Sequence, residues 1–399
     1  MARDDIDRSG VIGPSGRSVD ARPARNDDPP PAVERARGGG HTPHPTPHTP
    51  PYRMPAEWEP HAATWIAWPH HEPDWPGKLA PIPWVYAEIV RALHAFERVE
   101  IICHDDRVRD DARRALAAHG VRPEGYRLHL VPNDRVWLRD SAPTGVLGKD
   151  GAPALANWRF NAWAKYDNYE RDALVGRAIE HITRLPRFEP LRPDTGERVV
   201  LEGGAIETNG AGLFMVTEEC LLSDVQARNP GLDRDGYERI FRDYLGVRQT
   251  IWLGEGCVGD DTHGHVDDVA RFVDPTTIVL AYEEDPDDEN HRRSADNMRR
   301  LELAGAERGA LRVVKVPFPR PVEMSGERLP ASYANFYVAN GVVLVPTFND
   351  RTDRVALNAL AALMPDRAVI GIHAVDLVWG LGTLHCLTQQ QPAAKGGGP

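Results

Sequence analysis

Two hydrophobic periods alternate along the chain between residues 53 and 392. Apolar positions three and four residues apart predict helices, whereas short apolar runs bounded by turn residues predict strands. Helices are predicted at 84–96, 106–119, 167–185, 288–304 and 351–364. Strands are predicted at 64–68, 99–103, 136–139, 155–160, 198–201, 213–217, 249–253, 269–273 and 277–282. Because both kinds of element recur throughout, the pattern predicts a mixed α/β protein.

Two further elements are predicted near the C-terminus. A hairpin is expected from Asn335 to Pro346, because Asn340-Gly341 is a strong turn dipeptide. A short apolar strand is expected from Leu384 to Leu387. No linker rich in Gly, Pro or Ser divides residues 53–392, so this part is predicted to be one domain.

The two ends of the chain differ from this pattern. Residues 1–52 are rich in Pro, Gly, Arg and Asp and contain a recurring His-Thr-Pro sequence. Such a segment buries too little apolar surface to offset its ordering entropy, so it is predicted to be a disordered tail. Residues 393–399 are predicted to be a flexible C-terminal tail.

Charge and cysteine usage narrow the class of protein. The formal net charge of −12 disfavours nucleic acid as a partner and favours a small cationic molecule. No long apolar run suggests a membrane partner. The four cysteines form no CxxC pair, which is typical of reduced thiols in a cytoplasmic protein.

Five residues carry candidate chemistry, and each stands at or beside a predicted strand. Cys386 is the candidate nucleophile and His265 the candidate general acid and base. Glu202 is a carboxylate for which two roles are open, binding the nitrogens of the substrate or helping a histidine to transfer protons. Asp140 and Asp267 are the candidate carboxylates for holding a planar cation such as guanidinium, which carboxylates match two bonds at a time. The set predicts hydrolysis of such a cation.

Each of these residues has a plainer interpretation when taken singly. A lone cysteine in a strand is more often structural, a lone histidine is more often a polar loop residue, and aspartates often cap turns. His385 is expected to face away from Cys386, because side chains alternate along a strand, so it is not predicted as the base. His263 remains open as a supporting or alternative histidine.

Aromatic and metal-ligand residues add two hypotheses. Trp137 and Trp163 are predicted to line a narrow site for the chain attached to the cation. His263, His265 and Asp267 are ligand types, so a metal-dependent hydrolase is an alternative. The HExxH and paired CxxC spacings are lacking, however, which makes the metal signal weak. A non-catalytic binding protein is a third hypothesis.

Several ordered motifs give the chain a resemblance to a known family. They are Met54–Trp58, Trp65–Pro69, Trp137–Asp140, Phe160–Trp163, Leu201–Gly204, Thr217–Leu222, Gly264–Asp267 and His385–Gln390. With these motifs, residues 53–392 resemble the agmatine deiminase family, which is related to the bacterial peptidylarginine deiminases within the guanidine-modifying superfamily.

The resemblance implies a fold and a set of roles. The implied fold is a five-bladed α/β propeller of pseudo-symmetric ββαβ units, in a single catalytic domain over 53–392. The implied nucleophile is Cys386, with Asp140 and Asp267 gripping the guanidinium and Glu202 and His265 completing the catalytic group. The resemblance also implies no cofactor, no metal and a homo-oligomer.

Departures from the family pattern concern the substrate. Gly380–Leu384 reads Gly-Leu-Gly-Thr-Leu, where agmatine-specific members usually have Gly-Gly-Gly-Asn-Ile. Gly259–His263 likewise replaces Asn-Asp-Glu-Thr-Asn, and Asp268 stands where Asn is frequent. Agmatine is therefore the leading substrate, with peptidyl-arginine or another guanidino compound as the alternative.

Overall fold

The computed structural model describes residues 51–308 and 311–395. The chain divides into two units, of which the first, Met1–Pro47, lies outside the described residues. The predicted disordered tail therefore lies outside them up to residue 50, and the predicted C-terminal tail does so from residue 396. Ala393 and Lys395 donate backbone hydrogen bonds to Pro60 and Gly151, 2.8 and 3.0 Å long.

The helices and strands of the second unit alternate along the chain. The strands are β1 (Tyr52–Arg53), β2 (His61–Ala67), β3 (Val99–Cys103), β4 (Tyr126–Leu130), β5 (Thr144–Gly148), β6 (Pro153–Ala156), β7 (Arg187–Phe188), β8 (Glu207–Thr208), β9 (Leu213–Thr217), β10 (Gln249–Leu253), β11 (Ala270–Phe272), β12 (Thr277–Tyr282), β13 (Arg312–Pro317), β14 (Glu323–Met324), β15 (Glu327–Arg328), β16 (Tyr337–Ala339), β17 (Val342–Thr347), β18 (Ala368–His373) and β19 (Gln389–Pro392). The α-helices are α1 (Ile82–Leu93), α2 (Asp106–Ala118), α3 (Leu138–Ser141), α4 (Val175–Thr183), α5 (Glu218–Leu222), α6 (Arg234–Leu245), α7 (Glu289–Arg308), α8 (Asp353–Leu363) and α9 (Leu384–Leu387).

Five sheets of the described chain repeat one pattern. Their strand orders are β1-β5-β6-β7, β8-β9-β10, β11-β12-β13, β16-β17-β18 and β19-β2-β3-β4, and β14 and β15 form a separate two-stranded ribbon. In each sheet an antiparallel pair is followed by a parallel pair, for example β11 with β12 and then β12 with β13. A parallel pair needs a crossover connection, and α1, α4, α6, α7 and α8 lie in those crossovers. The repeated unit is therefore ββαβ.

Amphipathic helices cover the sheets. Helix α1 buries Ile82, Tyr86, Ile89 and Leu93, which are spaced three and four residues apart and so share one face. Complete burial of an Ile or Leu side chain contributes about 1.5–3 kcal/mol. Helix α6 begins after Asp233, whose side chain accepts from the Gly236 amide, and it ends at Gly246 in the left-handed region (φ 72°).

The prediction of a mixed α/β protein is confirmed, and many elements match. The strands predicted at 99–103, 213–217, 249–253 and 277–282 are found with those bounds as β3, β9, β10 and β12. The hairpin is confirmed as β16 and β17, and Gly341 takes the positive φ (71°) that its turn requires. These strands are buried apolar runs with a ladder partner on at least one side.

Three predicted strands near the candidate chemistry are wrong. Residues 136–139 lead into the short helix α3, because the Asp140 and Ser141 amides both donate to the Trp137 carbonyl. Residues 198–201 make only isolated bridges, from Arg198 to Leu191 and from Val200 to Arg159. Residues 384–387 form helix α9. These segments are apolar and short, and this pattern predicts a strand. They are not strands because they do not pair with a neighbouring strand in a sheet.

Two further elements are shorter than predicted. The strand predicted at 155–160 ends at Ala156 in β6. The helix predicted at 167–185 is a 3₁₀ turn at Asp172–Leu174 followed by α4.

Among the described residues, no helix combines the length and the apolar character needed to cross a bilayer.

Candidate active site

The candidate nucleophile lies on the short helix α9. A loop containing Gly380, Leu381 and Gly382 precedes this helix, and Leu381 adopts a left-handed conformation (φ 67°). A Cβ at Gly382 would lie 2.8 Å from Trp137 and 3.1 Å from the Cβ of Cys386, so glycine is needed for this close approach. The loop therefore passes close to both the Trp137 ring and the Cys386 side chain.

Asn335 fixes the thiol in place. Its Nδ2 donates to Cys386 Sγ over 3.1 Å. Its Oδ1 accepts from the hydroxyl of Thr383 (2.7 Å) and from the amide of His385 (3.0 Å). One buried amide therefore ties the nucleophile to the helix that carries it.

A hydrogen-bonded network lies behind the thiol. Asp267 Oδ2 lies 3.7 Å from Cys386 Sγ and 2.6 Å from His385 Nδ1, and His385 Nε2 lies 2.8 Å from Glu57 Oε2. Arg271 in turn lies 2.9 Å from Glu57. His385 and Cys386 thus approach the same oxygen of Asp267. The expectation that His385 faces away from Cys386 assumed a strand, and helix α9 removes that reason.

Asp140 is held by a strained loop. Ala162, Trp163 and Ala164 all have positive φ (50°, 59° and 53°), which is costly for residues other than glycine. This turn directs the Trp163 indole so that Nε1 donates to Asp140 Oδ2 over 2.9 Å. The backbone amide of Gly204 donates to Asp140 Oδ1 over 3.0 Å. The strained turn therefore places the indole that orients the Asp140 carboxylate.

His265 and Glu202 occupy the opposite side of the site. Glu202 Oε1 accepts from Arg228 Nε over 3.0 Å, while Glu202 Oε2 lies 3.8 Å from His265 Nε2. His265 Nδ1 lies 3.9 Å from Asp140 Oδ2. Both ring nitrogens of His265 and Oε2 of Glu202 are buried without a hydrogen-bond partner. These polar atoms are available to another group.

Gly204 lies where the candidate groups converge. A Cβ at this position would lie 2.5 Å from His265 Nδ1 and 3.1 Å from both Asp140 Oδ1 and Asp267 Oδ2. Any larger residue would therefore occupy the space between the histidine and the two carboxylates. This close approach explains Gly204, whereas a Cβ at Gly203 would lie 2.3 Å from the Arg139 carbonyl oxygen.

A cavity of about 200 Å³ opens onto part of this cluster. Cys386, Asp140, Trp137 and Trp163 are among its lining residues. His265, Glu202 and Asp267 lie behind that wall, within 4 Å of Asp140 or Cys386 or of each other. The structure therefore brings all seven sequence-predicted site residues together.

Burial and charge perturb the titration of these groups. Burial, reinforced by Asp267, Asp268 and Asp140, raises the pKa of the Cys386 thiol well above its ordinary value. Burial raises the pKa of Asp140 to about 6, although His265 opposes this shift. In the absence of a bound cation, the nucleophile is therefore protonated at neutral pH.

The pKa values of His265 and Glu202 are shifted so that both groups are charged. Burial lowers the pKa of His265, but Asp140, Cys220 and Glu202 outweigh it and raise the pKa well above the ordinary value. Burial raises the pKa of Glu202, but Arg228 and His265 outweigh it and hold the pKa at about 2. A charged imidazole beside charged carboxylates is the result.

Two clusters of potential metal ligands occur among the described residues. They are Glu202 with Cys220 and His265, and Asp267 with Asp268 and Cys386. The set considered from sequence, with His263, His265 and Asp267, is not one of them. His263 instead lies with Nε2 3.1 Å from Ser223 Oγ.

Four contributors to the site had not been singled out as such from sequence. Glu57 and Cys220 lie within the quoted motifs Met54–Trp58 and Thr217–Leu222, which offered a signal for them. Arg228 and Asn335 lie in segments that showed no motif, and only the fold brings them to Glu202 and Cys386.

Known proteins are similar to this chain in sequence and in fold. Residues 53–392 match the family model described as Porphyromonas-type peptidyl-arginine deiminase. The chain is 34% identical over 374 residues to the agmatine deiminase of Pseudomonas aeruginosa, covering 88% of this chain and 98% of that one.

Solved structures agree. The agmatine deiminase of Enterococcus faecalis superposes with a TM-score of 0.77 at 30% identity, over 86% of this chain and 96% of that chain. An agmatine deiminase of C. jejuni, a cysteine-to-serine variant with substrate bound, superposes with a TM-score of 0.76 at 25% identity, over 86% and 97%.

The fold and the site therefore define a mixed α/β enzyme of the deiminase class. More specifically, the chain belongs to the Porphyromonas-type peptidyl-arginine deiminase family, and the resemblance seen in the sequence is confirmed.

Proposed function

We propose that this protein hydrolyses the guanidino group of agmatine, releasing ammonia and leaving N-carbamoylputrescine. The carrying observation is the Cys386 thiol at the wall of a cavity, 3.7 Å from Asp267 Oδ2 and beside the buried carboxylate of Asp140. Two carboxylates next to a thiol suit a planar cation whose carbon is to be attacked. The relatives named agmatine deiminase support agmatine as that cation.

Substrate binding uses the carboxylates and the tryptophans. Asp140 and Asp267 accept hydrogen bonds from the guanidinium, and Asp267 Oδ1, buried without a partner, is an available acceptor. Trp137 and Trp163 line the cavity and pack against the alkyl chain. The volume of about 200 Å³ lies below the roughly 300–1,000 Å³ of sites for drug-sized ligands, which favours a small slender substrate.

The first chemical step forms a bond to sulfur. The Cys386 thiolate attacks the guanidinium carbon, and the tetrahedral intermediate expels ammonia after His265 gives its proton to the departing nitrogen. An S-alkylthiouronium remains on Cys386. The charged state of His265 supports its role as the acid, because its pKa is raised well above the ordinary value by Asp140, Cys220 and Glu202, against burial.

The second step releases the product. His265, now neutral, takes a proton from water, and the resulting hydroxide attacks the thiouronium carbon. The tetrahedral adduct breaks its carbon–sulfur bond, and the electron pair returns to Cys386 as the thiolate. The protonated urea that remains loses its proton through solvent to the released ammonia, which gives a ureido group and ammonium. Glu202, held by Arg228, stabilises the imidazolium that this proton transfer regenerates. Guanidinium and water are thereby converted into a urea and ammonium.

The substrate itself promotes formation of the nucleophile. Burial and three neighbouring aspartates raise the pKa of the Cys386 thiol, so a cation must enter before the thiolate becomes favourable. A guanidinium between Asp140 and Asp267 offsets their negative charge and attracts the developing thiolate. Asn335 Nδ2, 3.1 Å from Sγ, adds one hydrogen-bond donor to the sulfur.

Five properties of the molecule remain proposals. The five ββαβ units support an arrangement as blades of a propeller, with the catalytic domain over residues 53–392. We also retain the predictions of a cytoplasmic location, a homo-oligomer and a reaction without a cofactor.

A screen of ammonia release tests the substrate. The compounds are agmatine, free arginine, a peptide with an internal arginine and simple guanidino acids. We expect agmatine to give the highest kcat/KM, by about tenfold or more. A tenfold selectivity corresponds to a difference of about 1.4 kcal/mol in transition-state stabilisation. A preference for the peptide would favour the activity named by the family model instead. No ammonia from any compound would contradict the proposed reaction.

A further inference from the structure

A second group of chemical side chains lies behind the cavity wall. Glu202, Cys220 and His265 each place one potential metal-ligand atom within 4.8 Å of the other two. Each of the three residues is about 1% exposed. The proposed reaction uses Glu202 and His265 directly, whereas Cys220 enters it only by helping to raise the pKa of His265.

Several polar atoms of this group lack the hydrogen bonds that buried polar atoms usually make. Oε2 of Glu202 and both ring nitrogens of His265 are buried without a hydrogen-bond partner. Leaving buried polar groups unpaired is costly, so such atoms in a native protein call for an explanation. Here the unpaired atoms are an imidazole nitrogen and a carboxylate oxygen beside a thiol.

These donors match the preference of one class of ion. Zinc binds thiolate at about 2.3 Å, imidazole at about 2.0–2.1 Å and carboxylate at about 2.0–2.2 Å, usually in a tetrahedron. An imidazole nitrogen and a carboxylate oxygen on one tetrahedral ion therefore lie about 3.3–3.5 Å apart. His265 Nε2 and Glu202 Oε2 are 3.8 Å apart, so binding would bring them closer by about 0.3–0.5 Å.

We propose that Glu202, Cys220 and His265 form a binding site for a zinc-like divalent cation, and that the bound ion inhibits the enzyme by occupying the imidazole. The inhibition rests on the role of His265 in the proposed function, whereas the binding does not. The ion would bind Cys220 as the thiolate and His265 through an unprotonated ring nitrogen, and any proton carried on those two atoms passes to solvent.

Cobalt titration tests the site without reference to activity. The chain contains four cysteines, so a Cys103→Ser/Cys257→Ser/Cys386→Ser protein retains Cys220 as its one thiol. Titrating this metal-free full-length protein with Co²⁺ should produce a thiolate-to-cobalt charge-transfer band that saturates at one ion per chain. Zn²⁺ should then displace the cobalt and remove the band. Absence of the band would overturn the proposal.

Single variants separate this site from the second cluster. Cys220→Ser, or Cys220→Ala if the serine variant is unstable, should lose the band, whereas Cys386→Ser should keep it. Cys257→Ser is the matched control, since Cys257 is also buried and outside both clusters. A band that survives loss of Cys220 but not of Cys386 would assign the ion to Asp267, Asp268 and Cys386 and overturn the proposal.

Inhibition is measured separately. Zn²⁺ should inhibit ammonia release by the wild-type and Cys257→Ser proteins with the same inhibition constant. That constant should rise at least about tenfold in Cys220→Ser, relative to that variant's own activity without zinc, because removing one ligand typically weakens metal binding by this order or more. A protein that binds cobalt but releases no ammonia would contradict the proposed reaction and leave the binding site standing.

Discussion

The two sides of the site are built differently. The thiol side comprises Cys386, Asn335, His385, Asp267 and Glu57. Direct hydrogen bonds join Asn335 to Cys386 and to His385, and His385 to Asp267 and to Glu57. On the proton side, which comprises His265, Glu202 and Asp140, the histidine ring has no hydrogen-bond partner and lies 3.8–3.9 Å from its carboxylates.

The proposed reaction accounts for this difference. A nucleophile gains from being held at one position, because proximity lowers the barrier of attack. A group that delivers a proton to one atom and later takes one from water gains from uncommitted nitrogens. In that proposal the thiol side is hydrogen-bonded before the substrate arrives, and the substrate and water supply partners for the proton side.

The largest expected effect comes from removing the sulfur. Cys386→Ser should lower ammonia release by about 10³-fold or more, because a serine hydroxyl is a much weaker nucleophile without its own base. Thermal unfolding should change little, since the two side chains are similar in size. Cys257→Ser is the control and should retain wild-type kcat. An unchanged rate in Cys386→Ser would show that the thiol side does not supply the nucleophile.

Next comes the proton side. His265→Asn should lower kcat by about 10²–10⁴-fold, the range expected for loss of general acid–base catalysis. His263→Asn is the matched control, because His263 bonds to Ser223 outside the cluster, and it should keep kcat within about threefold. If the two variants exchanged these results, the base would be His263 and the comparison between the two sides would fail.

A smaller effect is expected at the amide that positions the thiol. Asn335→Ala should lower kcat/KM by about 10–100-fold, since a hydrogen bond to a charged group contributes about 1.5–3 kcal/mol. Asn297 is equally buried and bonds to Gly254 and Glu255 away from the site, so Asn297→Ala should lower stability comparably without this kinetic loss. Equal kinetic losses in both variants would reduce Asn335 to a structural role.

The smallest expected effect is a shift between two pH profiles. In the free enzyme the pKa of the Cys386 thiol is raised above its ordinary value, so kcat/KM should still be rising with pH near pH 9. A bound guanidinium lowers that pKa, and the rising limb of kcat should therefore lie about one pH unit or more below that of kcat/KM. Coincident limbs would contradict activation by the substrate.

The sequence predicted the strands of the sheets better than the conformation of the site segments. β9, β10 and β12 are apolar runs of five or six residues with a parallel or antiparallel partner, and period and length were sufficient to locate them. The segments carrying Asp140, Glu202 and Cys386 are also apolar, but they are short helices and turns. Local pattern cannot distinguish these, because contacts with distant segments fix their conformation.

The same division holds within the site. The seven predicted site residues were found through motifs, and the structure brings them together. Asn335 is 51 positions from Cys386 and Arg228 is 26 from Glu202, and neither segment carries a motif. The raised pKa values of the Cys386 thiol and of the His265 imidazole also depend on burial and on neighbouring charges, which the sequence does not specify.

The central claim is that sulfur forms a bond to the guanidinium carbon, and mass spectrometry of the acid-quenched protein tests it most directly. Mixing the full-length protein with excess agmatine and quenching within one turnover should give an adduct on the peptide containing Cys386. Cys386→Ser should give none, and Cys257→Ser should give the wild-type amount. Ammonia release at the wild-type rate with no adduct on Cys386 at any quench time would contradict the account.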